Sequence, residues 1–332
     1  MKRTVKTLTN FLTKMSLVTL SATVLWSCSA EAPSRTAEYA VQGLYSAVLS
    51  DDGRSAVVGS IQHGGSYWDN SRGERLYNWN HQQGEYTPLI SVDIDPSGSF
   101  ALTGGARTLV LWNTTNGQSA GFWNTPGDVR SLKLTQNGDL ALVGLDDQTA
   151  RFFDVKNGGI KQTLRTGAVV RAVDVSPDSK LGLTGDDNYK VILWDMQTGE
   201  KKHEWTLSNR IASVALSADG QYAFGAAQLG NAKIWSTVTG REVLEVDTGA
   251  LESRNVTISQ AVFSQDRRSL LMGTVNRRVS LLSISTGEVE KTWDLHLKDT
   301  TRPTGARVLA LAFGAGGKYF AIGSNGYLNE LQ

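Results

Sequence analysis

The twelve residues from Trp194 to Trp205, WDMQTGEKKHEW, hold a Trp-Asp pair, a Thr-Gly turn and a second tryptophan six residues after the glycine. Read alone, they fit a binding motif, a catalytic motif or plain packing, and only recurrence separates these. The pattern does recur. Trp194 has counterparts at Trp68, Trp112, Phe153, Trp235 and Leu282, followed by polar turns ending at Gly73, Gly117, Gly158, Gly240 and Gly287. Six residues beyond those glycines stand Trp79, Trp123, Leu164, Val246 and Trp293, as Trp205 stands beyond Gly199. Every tryptophan except Trp26 therefore falls in one of two columns.

Upstream of these units, short alternating runs such as SVDI, SLKL, AVDV and SVAL lead into the turns SDDG (50–53), DPSG (95–98), TQNG (135–138), SPDS (176–179), SADG (217–220), SQDR (264–267) and GAGG (314–317). Apolar alternation closed by Gly, Asp, Asn and Ser is a strand-and-turn signal. Its seven occurrences lie 40 to 50 residues apart, with middle intervals of 41. That is the period of a four-stranded propeller blade.

With Trp194-Asp195 and the SPDS and SADG turns, the chain resembles the WD40-repeat family from about residue 37 to its end. The run from Asp147 to Phe153 is similar to that family's turn-plus-strand pattern, in which the aspartate implies a structural hydrogen-bond network. No blade begins with Gly-His, and most lack the turn aspartate. The quinoprotein-type repeats, which also use Asp, Thr-Gly and a docking tryptophan, rank second because their tryptophan follows the glycine sooner. The expected fold is all-β, a seven-bladed propeller of four-stranded antiparallel blades over 37–332. Counting on from Gly323 puts the last blade's third strand around Leu328 to Gln332 and leaves no residues for its fourth. The segment 37–42, AEYAVQ, with Tyr39 in the column of Trp205, is expected to supply that outer strand and close the ring, protecting edges that an open sheet exposes.

Residues 1–27 carry Lys2, Arg3, Lys6 and Lys14, no acid, and the apolar run MSLVTLSATVLW. That is the shape of a secretory signal peptide. Its end, Leu25-Trp26-Ser27-Cys28, resembles a bacterial lipobox, which implies palmitate-type acylation of Cys28, the sole cysteine, with 28–36 as a lipidated tether. Ser29 in place of aspartate then implies the periplasmic face of an outer membrane. Removing the four cations takes the formal charge from +1 to −3. A near-neutral mature chain argues against nucleic acid as a partner.

No metalloprotease, nucleophile-elbow, P-loop or dinucleotide motif is present, so no catalytic residue, metal or cofactor is expected. The paired acids Asp51-Asp52, Asp146-Asp147 and Asp186-Asp187 read as solvated turn residues. Loop length is more informative. The spacing from outer-strand column to the next inner strand is nine residues in three cases, but 13 from Trp79, 16 from Val246 and 18 from Trp293. In a propeller these connections share one face with the turns between second and third strands. The long loops 80–91, 247–260 and 294–309 thus bring His81, Glu85, Tyr86, Glu252, Arg254, His296, Lys298, Asp299 and Arg302 to that face, with His63, Arg277 and Arg278 on neighbouring turns. Mixed charge around an aromatic suits a protein or peptide partner. The resulting expectation is a non-enzymatic, lipid-anchored envelope scaffold with envelope partners. The alternative is an envelope enzyme, or a quinoprotein-like or metal-binding propeller with its site at the channel mouth.

Overall fold

The computed structural model describes residues 30–82, 84–251, 256–301 and 305–332. They form seven four-stranded antiparallel sheets. The inner strands Leu44–Leu49, Ser91–Ile94, Val129–Leu134, Val170–Val175, Ile211–Leu216, Ile258–Phe263 and Val308–Phe313 pack side by side, the last against the first, in a closed ring. Blade 4 shows why the sequence reads as it does. Its second and third strands, Leu181–Asp186 and Lys190–Asp195, are buried on both faces, because neighbouring blades cover them. Its outer strand, Lys201–Thr206, alternates between exposed and half-buried residues. Two-sided burial gives continuous apolar runs and one-sided burial gives alternation.

The two tryptophan columns are the contacts between blades. Trp79 of blade 1 stacks on Trp112 of blade 2 at 5.1 Å between ring centroids, and Trp205 of blade 4 on Trp235 of blade 5 at 4.7 Å. The outer-column rings also donate across the seam: Trp79 Nε1 to the Gly117 carbonyl (3.0 Å), Trp205 Nε1 to that of Gly240 (2.8 Å) and Trp293 Nε1 to that of Gln332 (3.0 Å). Third-strand rings are fixed within their own blade, Trp112 Nε1 by Thr103 and Trp194 Nε1 by Thr184. Trp79, Trp112, Trp194 and Trp293 thus bury their rings and satisfy their one donor, and the half-buried Trp205 satisfies its own. Asp195 caps the hairpin of the opening stretch, accepting from the amides of Gln197 and Thr198, which hold its carboxyl below the usual range.

A second-strand glycine column sets how closely blades approach. A Cβ on Gly185 would lie 2.3 Å from Ile211 Cγ2, and one on Gly273 2.3 Å from Val308 Cγ1. Gly185→Val is therefore expected to cost ~1–3 kcal/mol by overpacking a seam with no slack. Urea unfolding of the purified chain checks this, and an unchanged midpoint would show that the blades can separate.

Closure follows the expected route with a shifted register. The N-terminal strand is Arg35–Glu38, antiparallel to Tyr327–Leu331, the last blade's third strand. Ala37 pairs with Leu328 as Trp205 pairs with Val191, so Ala37, not Tyr39, stands in the tryptophan column. Tyr39 follows the strand, yet it stacks on Trp68 of blade 1 at 4.2 Å and donates its hydroxyl to Asn70 Oδ1 at 2.6 Å. It makes the seam contact from outside the column. Earlier in the chain, Glu31 bridges in parallel to the outer strand of blade 6, its amide on Thr292 O and its carbonyl receiving Asp294 N. The terminal segment therefore fastens blades 6, 7 and 1 together.

Candidate functional site

In each antiparallel meander the outer-to-inner loop and the second-to-third turn leave the same end of the blade. That end carries the long loops. It also carries six exposed large apolar side chains, Val41, Tyr45, Tyr86, Ile90, Tyr189 and Leu229. The opposite end has Val238, and the remaining exposed ones among the described residues, Leu76, Phe122, Ile160 and Val243, lie on outer strands. Tyr86 is 64% exposed and meets His63 edge to face at 5.7 Å, which places loop 80–91 beside the neighbouring turn, as its length implied.

Most inner strands bulge one residue after their start, at the long-loop end of the blade; the bulged residue is exposed at Tyr45, Arg130 and Arg171 and buried at Ser259, whose hydroxyl bonds the Val308 carbonyl. Around the ring these positions are Leu309, Tyr45, Ile90, Arg130, Arg171, Ala212 and Ser259. Ser46 Oγ bonds the Leu89 carbonyl at 2.7 Å, so Tyr45 and Ile90 stand next to each other. The rim is apolar on blades 7, 1 and 2. On blades 3 and 4 it carries arginines paired within their blades, Arg130 to Asp146 (3.5 Å) and Arg171 to Asp187 (2.8 Å).

Several residues read as binding candidates are already engaged. His81 turns inward, with Nδ1 2.6 Å from Thr108 Oγ1 and Nε2 2.8 Å from Thr103 Oγ1, the hydroxyl that also receives Trp112. Burial pushes its pKa down to about 4. Lys298 pairs with Glu38 at 2.8 Å and reaches the Val41 carbonyl, tying its loop to the closing strand. Arg277 and Arg278 share Asp294, and Arg277 also bonds the Leu295 carbonyl. Asp299 caps Thr301. His296 is exposed, with its ring against Tyr327. Glu85 is exposed beside Tyr86. Glu252, Arg254, Arg302 and Cys28 lie outside the described residues. Asp186 departs from its reading as a solvated turn residue: it is fully buried, its Oδ1 accepts from the amides of Asn188 and Lys190, and burial raises its pKa.

His81 gives acid sensitivity with a definite sign. A histidine kept neutral in the folded state, with a pKa near 4 against 6.5 free, binds its proton only after unfolding. Its stabilisation is complete above pH 6.5 and is lost as pH falls toward 4, by about 2 kcal/mol once solvent access to the ring is allowed for. Melting of the wild type should drop across that window while His81→Gln lacks this component. Parallel curves for the two proteins would contradict the inward placement.

One polar cluster has no counterpart among the sites expected from the sequence. Asp93, Lys133 and Asp174 come from adjacent inner strands of blades 2, 3 and 4 and line the channel. Lys133 Nζ is 3.1 Å from Asp93 Oδ1. The second Asp93 oxygen accepts Leu134 N at 2.7 Å, and Asp174 accepts Leu216 N at 2.7 Å. Burial pushes Asp93 up to about 6 and raises Asp174. Burial also works against the Lys133 ammonium, but Asp93 and Asp174 outweigh it and its pKa is raised. The signal lay in SVDI, SLKL and AVDV, whose charged letters align. Among the described residues, no group of three or more His, Cys, Asp or Glu is placed to hold a metal.

With blades, seams and face described, the chain defines itself as a seven-bladed β-propeller with WD40 character: residues 159–195 match the family described as WD domain, G-beta repeat. The curated relatives it resembles are fungal proteins called eukaryotic translation initiation factor 3 subunit I. The one from Lodderomyces elongisporus is 38% identical over 24% of this chain and 23% of its own length. That from Candida albicans is 32% identical over 28% and 27%, and that from Aspergillus oryzae 33% over 23% and 22%. The chain thus spans about a quarter of the length of the relatives it matches. These findings correct the expectation of an envelope scaffold, with its envelope partners, lipid anchor and periplasmic location, because the relatives are subunits of a eukaryotic translation factor. The leader-like pattern that suggested it falls on residues 1–29, outside the described residues. Neither the matched repeat nor the relatives' description is that of an enzyme, in keeping with the reading of a non-enzymatic chain.

Proposed function

We propose that this chain is a non-catalytic propeller that serves as one subunit of a protein assembly and docks its partner through the long-loop face. The observation that carries this is the gathering of Val41, Tyr45, Tyr86, Ile90, Tyr189 and Leu229 at one end of the blades. Exposed apolar patches with a polar surround mark protein interaction sites, and aromatic anchors dominate their binding energy. Support for a subunit role comes from the relatives, each named as a subunit of eukaryotic translation initiation factor 3. Partners in a translation initiation complex are thus the first to test. Within the face, Tyr86, Glu85 and His63 form one contact point and Tyr45 with Ile90 another, whereas His81, Lys298 and Arg277 hold loops in place.

The test is capture of crosslinked partners from the protein's own cells with tagged wild type and with Tyr45→Glu/Tyr86→Glu. The double variant should lose the wild type's principal partner while its melting temperature stays within a few degrees, since both side chains are exposed. Retention of that partner by the double variant, with loss on altering the opposite face at Gln197, would overturn the choice of face. Initiation factor subunits among the captured proteins would align this chain with its relatives.

A further inference from the structure

Among the described residues of the long-loop face, a groove opens at blade 5. It measures about 630 Å³ and lies between the loop preceding the blade, the second-to-third turn and the end of the outer strand Glu242–Val246. Its walls are fixed by polar clamps. Ser208 Oγ and N both bond Asn231 Oδ1 (2.8 and 3.0 Å), and Asn209 Nδ2 bonds the Gln228 carbonyl at 2.9 Å. At Gly230 an added Cβ would lie 2.4 Å from Ser208 Oγ, so the turn and loop meet with no room to spare. A pre-formed wall of this kind lowers the entropic cost of binding.

Leu229 stands at the lip, 57% exposed and at φ +48°, a left-handed conformation that a branched aliphatic residue adopts at a cost. Glycine would take the position freely. Tyr189 lies in the corresponding turn of blade 4, one position further on, at φ +69° and 45% exposed, and its carbonyl receives the amide of Leu207, the residue before Ser208. Two apolar side chains in left-handed conformations thus stand near the groove with about half of their surface exposed, Leu229 in its lining and Tyr189 on the neighbouring turn. The groove's charged lining residues are both acids, Glu245 and Asp247. Glu245 is shared with Lys233, 3.4 Å away, which is closer to Glu242 at 2.8 Å. Asp247 accepts the Gly249 amide at 2.9 Å.

We infer that this groove receives a segment of a protein partner in which a lysine or arginine stands beside an aliphatic or aromatic residue, the cation facing Glu245 and Asp247 and the apolar side chain covering Leu229 and Tyr189. This deepens the docking reading and rests on it. Charge complementarity selects the cation, and desolvation of Leu229 supplies affinity.

The probe is a random peptide library displayed on phage and selected on the immobilised full chain, then rescreened on Leu229→Gly/Glu245→Lys. Selected peptides should pair a basic with an apolar residue and bind the variant at least about tenfold more weakly. Acidic or patternless peptides, an empty selection, or undiminished binding to the variant would overturn the assignment. Leu229→Gly alone should melt at or above the wild-type temperature, and a lower melting temperature would assign Leu229 to folding. If Tyr45→Glu/Tyr86→Glu abolishes capture of the natural partner while Leu229→Gly/Glu245→Lys leaves it intact, the docking face stands and the groove falls.

Discussion

A chain beginning at Ala40 is expected to lose more stability than any single substitution, falling by about 5 kcal/mol or more or failing to unfold cooperatively. The deleted segment contributes the four-residue outer strand of blade 7, the parallel bridge of Glu31 to blade 6 and the Tyr39 ring on Trp68. Loss of a buried aromatic alone costs ~3–5 kcal/mol, and the lost ladder bonds add about 1 kcal/mol each. A domain's whole stability is only ~5–15 kcal/mol. Removal also exposes the edge of Tyr327–Leu331, a template for association. Tyr39→Ala should fall between wild type and truncation. Calorimetry of the three proteins decides the matter, and a truncated chain melting like the wild type would mean that the ring closes without its terminal strand.

The second large effect is expected at Lys133. Replacing it by methionine keeps most of the unbranched side chain and removes the cation that stands between Asp93 and Asp174. Breaking a buried pair by deleting one partner costs ~3–5 kcal/mol, and because the Lys133 side chain is 36% exposed to the channel the lower end applies. The carboxylates then govern a pH dependence. In the wild type burial already pushes Asp93 up to about 6, and loss of the lysine raises it further. A carboxyl whose folded pKa exceeds its unfolded value takes up its proton first in the folded state, so the variant regains stability as pH falls from above about 6 toward ~4. Adding Asp93→Asn to Lys133→Met should recover part of the loss at pH 7. Equal stability of Lys133→Met and wild type at pH 7 would show that the channel ions are fully solvated.

The fold was legible because a propeller repeats its errors as well as its signals. In the third-strand column Phe153 and Leu282 stand in place of tryptophan, yet the glycine six residues before the next column kept the register. Closure was legible as a count of strands but not as a register. Tyr39 reaches Trp68 from the residue after the strand, and a linear alignment cannot distinguish a ring that stacks from within a column from one that stacks beside it.

The site was legible only as a face. Loop length showed where chain is spare, and loops carry recognition on rigid scaffolds. It did not show which side chains are spent: His81 on two threonines, Lys298 on Glu38, Arg277 on Asp294. Those bonds join residues far apart in sequence and leave no local trace. Conversely, Tyr45, Ile90, Tyr189 and Leu229 carry no motif, and only their exposure, with the left-handed backbone of Tyr189 and Leu229, sets them apart. Asp93, Lys133 and Asp174 were visible as aligned letters, but their meaning required knowing that the column faces an enclosed channel.

Coverage of the long-loop face by a protein partner can be read out site by site. Photo-crosslinking from single sites tests it most directly, with the reactive group at Tyr86 or Leu229 on that face and at Gln197 or Val238 on the other. Adducts with one and the same partner are expected from Tyr86 and Leu229 and none from Gln197 or Val238. Adducts arising from Gln197 and Val238 alone would contradict it.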